Sequence, residues 1–161
     1  MSKLNEAKKI LKELGLPTPQ QNEISAYTLL ALCGIKSRGD WSMATRKSLK
    51  VTKGVMAFVL DVYKKEYAPN TRETFRRQVL HQFVQAQIAE YNPDNPQLPV
   101  NSPNAHYALT HSALEAIQAF GTKNWNKAAE KFKAGAGDLS KRYKKERKQN
   151  LIPIKLRALL I

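Results

Sequence analysis

At 161 residues the chain has room for one domain with a core and an appendage, and too few residues for two full-sized domains. Its 27 Lys and Arg against 13 Asp and Glu give a formal charge of +14 and a sequence pI near 10.0, which points to a polyanionic partner, nucleic acid or an anionic membrane surface. No run approaches the ~18 apolar residues of a membrane span, and Met1-Ser2-Lys3-Leu4-Asn5 leads straight into a charged helical pattern, so a soluble, unprocessed chain with no membrane partner is expected. The single cysteine, Cys33, sits in the apolar run Leu29-Leu30-Ala31-Leu32-Cys33. It excludes an internal disulfide and fits a core position in a reducing cytoplasm.

Leu4, Ala7, Leu11 and Leu14 recur at helical spacing with Lys on the other side, and Gly15 supplies a stop, which predicts a first helix over 3–14. After Pro17-Thr18-Pro19, the stripe Ile24, Tyr27, Thr28, Leu30, Ala31 predicts a second, core-forming helix that closes at Gly34. A polar loop through Gly39-Asp40 follows, then a third helix from about Thr52 to Lys65 carrying Val55, Phe58, Val59 and Val62. Asn70-Thr71-Arg72-Glu73 has the form of a capping box with Asn as cap, so a fourth helix is expected to begin near Thr71 and to run to about Ile88. Four prolines between Asn92 and Pro103 exclude regular helix and predict a loop between two short strands, Ala89-Glu90-Tyr91 and His106 to Leu109. From Ser112 the pattern is helical again, with breaks at Gly121 and at 135–137, and Leu151-Ile152-Pro153-Ile154-Lys155-Leu156 reads as the first strand of something else. There is no internal repeat.

Two helices joined by a short turn, the second rich in Arg, Gln, Thr and His, followed by a hairpin, outline a mainly α fold: a winged helix-turn-helix with a small β-hairpin and additional flanking helices. On a wheel of 100° per residue, Phe75, Val79, Phe83 and Ala86 share one side of the fourth helix, while Thr71, Thr74, Arg77, Gln78, His81 and Gln85 face away. Arg bridges the acceptors of guanine and Gln pairs with adenine, so the outward face has the chemistry for reading base edges of duplex DNA. A merely solvated face commonly alternates charges of both signs, whereas here Glu73 is the one acid. Arg72 and Arg76 lie nearer the buried side and either reach phosphates at the helix start or pair with internal carboxylates. The proline-rich segment is either a wing against the DNA or a rigid surface loop, with Asp94 opposing close phosphate contact. The basic run Lys141-Arg142-Tyr143-Lys144-Lys145-Glu146-Arg147-Lys148 either adds backbone contacts or is solvated, and Trp41, Trp125 and Tyr143 are expected to pack.

No catalytic site is predicted in the chain. His81, His106 and His111 fall on different elements with no companion ligands at metal spacing. Pro93-Asp94 followed by Glu146-Arg147-Lys148 spells the Asp, then Glu-x-Lys signature of magnesium nucleases. However, two carboxylates aimed at one metal need rigid neighbouring strands, whereas Asp94 lies in a loop and Glu146 in a charged helical pattern. Neither a nucleotide-binding glycine loop nor a serine-nucleophile motif is present.

The run from Tyr67-Ala68-Pro69-Asn70-Thr71-Arg72-Glu73-Thr74-Phe75-Arg76-Arg77-Gln78 to Gln85 resembles the amino-terminal helix-turn-helix domain of the BsuBI/PstI family of type II restriction endonucleases. Three more stretches agree: Leu14-Gly15-Leu16-Pro17 through Leu32, Tyr91-Asn92-Pro93-Asp94-Asn95-Pro96 through Pro103, and Phe120-Gly121-Thr122. The resemblance implies a DNA-binding domain of a restriction-modification system over 1–150, with a CTGCAG-type target read by the helix 71–87 through Thr71, Arg72, Thr74, Arg76, Arg77, Gln78, His81 and Gln85. It also implies that 151–161 is the start of a truncated or absent nuclease domain, that magnesium belongs to that domain, and that this chain alone is inactive. A homodimer and a separate nuclease domain are left open as partners. A stand-alone helix-turn-helix transcriptional regulator would use the same surface, and a helical scaffold binding another protein is the reading from a different class.

Overall fold

The computed structural model describes residues 2–94, 97–98, 102 and 104–136. Helix α1 (Lys3–Glu13) starts where the Ser2 side chain accepts a hydrogen bond from the Asn5 amide, and α2 (Glu23–Cys33) starts where Asn22 does the same for Ser25. Helix α2 is buried almost all round, with Ala26, Leu29, Leu30, Leu32 and Cys33 at zero exposure, because other elements cover it on several sides. It ends at Gly34, whose φ of 69° is a left-handed conformation that glycine adopts without steric cost.

The segment expected as a plain polar loop contains a short strand, β1 (Leu49–Lys50). Two residues are too few to display an alternating pattern, so the strand is specified by its partner and not by its own sequence. Residues Val51–Met56 then wind as a π-helix and continue as α3 (Ala57–Tyr63). Gly54 permits this junction: a Cβ there would lie 2.8 Å from Leu49 Cβ and 3.1 Å from its Cα. Lys64, left-handed at φ 57°, stops α3.

The capping box expected at Asn70 is not formed. Pro69–Thr71 is a 3₁₀ turn without a side-chain cap, and the Glu73 carboxylate turns to neighbouring arginines. Residues Thr74–Leu80 are π-wound and pass without a break into α4 (His81–Gln85). Hydrogen bonds that skip five residues widen the turn, and the buried set becomes Phe75, Val79, Leu80 and Phe83, with Ala86 only half-buried. Gln87, at φ 65°, closes the helix, and the Ile88 amide donates to the Phe83 carbonyl at 2.9 Å.

Strands β2 (Ala89–Tyr91) and β3 (His106–Leu109) are where the sequence predicts them. The sheet is antiparallel in the order β1-β3-β2, with Leu49 opposite Tyr107, and Tyr91 opposite Tyr107 on the other side. Arg46, just before β1, locks this sheet: its Nε donates to the Leu109 carbonyl at 2.6 Å and its Nη2 pairs with the Glu90 carboxylate. Thr110 then caps α5 (His111–Gln118) by accepting from the Ala113 amide while its hydroxyl donates to the Gln87 carbonyl at 2.7 Å. A last helix, α6, is described over 125–136. Trp41 and Trp125 are packed as expected, the latter donating from Nε1 to Glu13 at 2.5 Å. Tyr143, the basic run 141–148 and the strand-like segment 151–156 lie outside the described residues. Among the described residues, no helix is long and apolar enough to cross a membrane.

Candidate nucleic-acid interface

The core side of the fourth helix is fixed by Phe75, Val79, Leu80 and Phe83, none more than 1% exposed. Tyr67, in the turn before the helix, packs edge-on against Phe75 with centroids 5.2 Å apart and sets the angle at which the chain enters. With that side locked, Arg77, Gln78, His81 and Gln85 are exposed on the opposite side. His81 Nε2 and Gln85 Nε2 lie 3.5 Å apart, one turn from each other. These four side chains form one contiguous row. Thr71, Arg72, Thr74 and Arg76 are half-buried, with Thr71 at the end of the 3₁₀ turn rather than inside the helix.

The arginines at the helix start share one acid. Glu73 Oε1 accepts from Arg72 Nη1 at 3.1 Å and from Arg76 Nε at 3.2 Å. Its Oε2 accepts from Arg76 Nη2 at 2.6 Å and lies 3.3 Å from Arg77 Nε. The signal was present as Glu73, Arg76 and Arg77 at i, i+3 and i+4, the spacing at which helical side chains meet. A face without opposite-charge pairing is therefore not what forms; one carboxylate serves three guanidiniums and leaves a local charge of about +2. The hydrogen bond from Arg76, with the field of Arg77 and Arg72, holds the Glu73 carboxyl below the usual carboxylate range.

The three arginines differ in exposure. The Arg76 side chain is 12% exposed and gripped through two nitrogens, whereas Arg77 is 73% exposed and meets Glu73 through Nε. Of the two readings open for Arg72 and Arg76, both pair with a carboxylate, and that carboxylate is on the same helix. Arg72 also reaches from Nη2 to the Ser102 carbonyl at 3.5 Å, tying the helix start to the loop between β2 and β3. A cleft of about 370 Å³ lies beside the helix, lined by Arg76, Arg77, His81 and Tyr107.

That inter-strand loop is braced at its base. Asn92 is fully buried at φ 44°; its side chain accepts from the His106 amide at 2.8 Å and donates to the Leu98 carbonyl at 3.2 Å. The Tyr91 hydroxyl donates to the same carbonyl at 2.7 Å. Asp94 pairs with His106 Nε2, while His106 Nδ1 lies 3.0 Å from the Asn104 carbonyl. These contacts favour the imidazolium: the Asn104 carbonyl first and then Asp94 raise the His106 pKa, and Asp94 is correspondingly lowered. Among the described residues no three His, Cys, Asp or Glu side chains come together as a metal site.

A helix (α2), a strand (β1), two further helices and a β2–β3 hairpin, with β3 at the centre of the sheet, define a winged helix-turn-helix. Residues 1–141 match the BsuBI/PstI restriction endonuclease HTH domain, and the chain belongs to that family. It is 48% identical over 155 residues to the type II restriction enzyme BsuBI of Bacillus subtilis, covering 96% of this chain and 49% of that one. It is 29% identical over 151 residues to the type II restriction enzyme AplI of Arthrospira platensis, covering 94% of this chain and 46% of that one. The fold matches the structure of SdaI restriction endonuclease with a TM-score of 0.78 at 35% identity, over 81% of this chain and 41% of that one. The chain thus spans about half the length of the curated relatives it matches.

Proposed function

We propose that this chain is the DNA-recognition part of a type II restriction endonuclease, and that it lays the helix carrying Arg77, Gln78, His81 and Gln85 into the major groove of duplex DNA. The observation that carries the reading is the exposed row itself. Four side chains able to read base edges stand on a helix whose other side is locked by Phe75, Val79, Leu80 and Phe83. The excess of 14 positive charges supplies the sequence-independent attraction to phosphate. Thr71, Thr74, Arg72 and Arg76, at the helix start, are assigned to phosphate contact and to orienting the helix on the duplex.

By the family resemblance, the target is of the CTGCAG type, and cutting it falls to a magnesium-dependent nuclease domain. The reading is tested by enriching duplexes from a random library on the purified chain. Enrichment of one short motif supports it, and recovery of unrelated sequences at equal frequency sinks it.

A further inference from the structure

Glu73 is the acid at the centre of a cationic surface, and its position sorts the arginines around it. Both carboxylate oxygens are occupied: Arg72 and Arg76 on Oε1, Arg76 and Arg77 on Oε2. Arg76 uses two nitrogens and has little exposed surface, so it serves as the mount. Arg77 meets Glu73 Oε2 through Nε at 3.3 Å as an ion pair, and among the described residues no hydrogen bond engages its two terminal nitrogens. An arginine held at Nε keeps the end-on fork of those nitrogens available, and that fork matches the paired O6 and N7 acceptors of guanine. A carboxylate on the same surface also repels every phosphate alike, which penalises duplexes that offer Arg77 nothing in return.

We infer that Glu73 is a positioning and specificity-determining residue: it presents Arg77 to a guanine in the preferred site and weakens binding to all other DNA. This rests on the proposed insertion of the helix into the major groove. A glutamine at position 73 removes the negative charge that offsets the guanidiniums and places an N–H donor where a carboxylate oxygen accepted from one of them.

The test is a double-mutant cycle of Glu73→Gln and Arg77→Ala. Affinity is measured for a duplex enriched by the chain itself and for a random-sequence duplex of the same length. Glu73→Gln should tighten binding to the random duplex and lower the ratio of the two affinities by about two- to fivefold, the range expected when an exposed ion pair is lost. In the Arg77→Ala background the same change should leave the ratio unmoved. A fold defect would weaken both duplexes together, and Glu73→Met replaces Gln if that variant melts early. The inference is overturned if Glu73→Gln lowers the ratio equally in both backgrounds, or shifts both affinities by one common factor. If Arg77→Ala alone leaves the ratio intact, it is the major-groove reading that fails.

Discussion

Arg76 and Arg77 are adjacent in sequence and differ in exposure. The first has 12% of its side chain exposed and the second 73%, although both pair with Glu73. Replacing Arg77 by Ala is expected to cost roughly 1–3 kcal/mol against the preferred duplex and much less against random DNA, with an unchanged melting temperature. A fluorescence-anisotropy titration of both duplexes measures it, and equal losses on the two would make Arg77 a backbone contact. His106 gives a second prediction at this scale. Its pKa is raised in the folded state, with Asn104 and Asp94 favouring the charged ring and Lys50, its neighbour in β1, opposing it. The stabilisation is therefore fully present below the ordinary histidine pKa of about 6.5 and is lost as pH rises through the raised value. Asp94, lowered, contributes above the ordinary carboxylate pKa of about 3.9 and loses that contribution as pH falls through its folded value. Melting temperatures across this range should show a decline on the alkaline side of pH 6.5 that is absent in His106→Gln; an identical decline in that variant would place its origin elsewhere.

At the scale of elements, the winged helix-turn-helix depends on a close approach between β1 and the π-wound start of the third helix. Gly54→Ala should destabilise the fold by about 1–3 kcal/mol, because the added methyl meets the Cα and Cβ of Leu49, which β1's pairing with Tyr107 and His106 holds in place. Chemical denaturation measures the cost, and an unchanged midpoint would mean that β1 yields freely. This contact also marks where the sequence stopped being informative. The long helices and the β2–β3 hairpin were legible, since apolar spacing and four prolines are local signals. Strand β1 was not: a two-residue strand carries no period, and its pairing with β3 spans more than fifty positions. The Arg46 brace to Glu90 and Leu109 was hidden for the same reason. On the fourth helix the wheel placed Phe75, Val79 and Phe83 correctly but missed Leu80 as core and Glu73 as the hub for its arginines. The π winding changes the angle per residue, which a wheel drawn at 100° does not follow and which brings Leu80 inward, whereas the Glu73 pairs follow the ordinary i, i+3 and i+4 spacing.

Over the whole molecule, the proposed reading has the charge of +14 and the exposed row on the fourth helix contribute separately, one to affinity for any duplex and the other to choice among duplexes. On the proposal that this chain recognises DNA and that cutting falls to a nuclease domain, the purified chain with magnesium is expected to leave plasmid DNA intact. Site-specific nicking that follows the protein through purification would place a nuclease in this chain. The most direct measurement is a titration of the library-enriched and random duplexes at several salt concentrations. Both affinities should fall steeply, with a log-log slope of about −0.9 for each phosphate contacted, while the preference for the enriched duplex persists at every concentration. Affinities that do not respond to salt, or a preference that is absent throughout, would contradict the account.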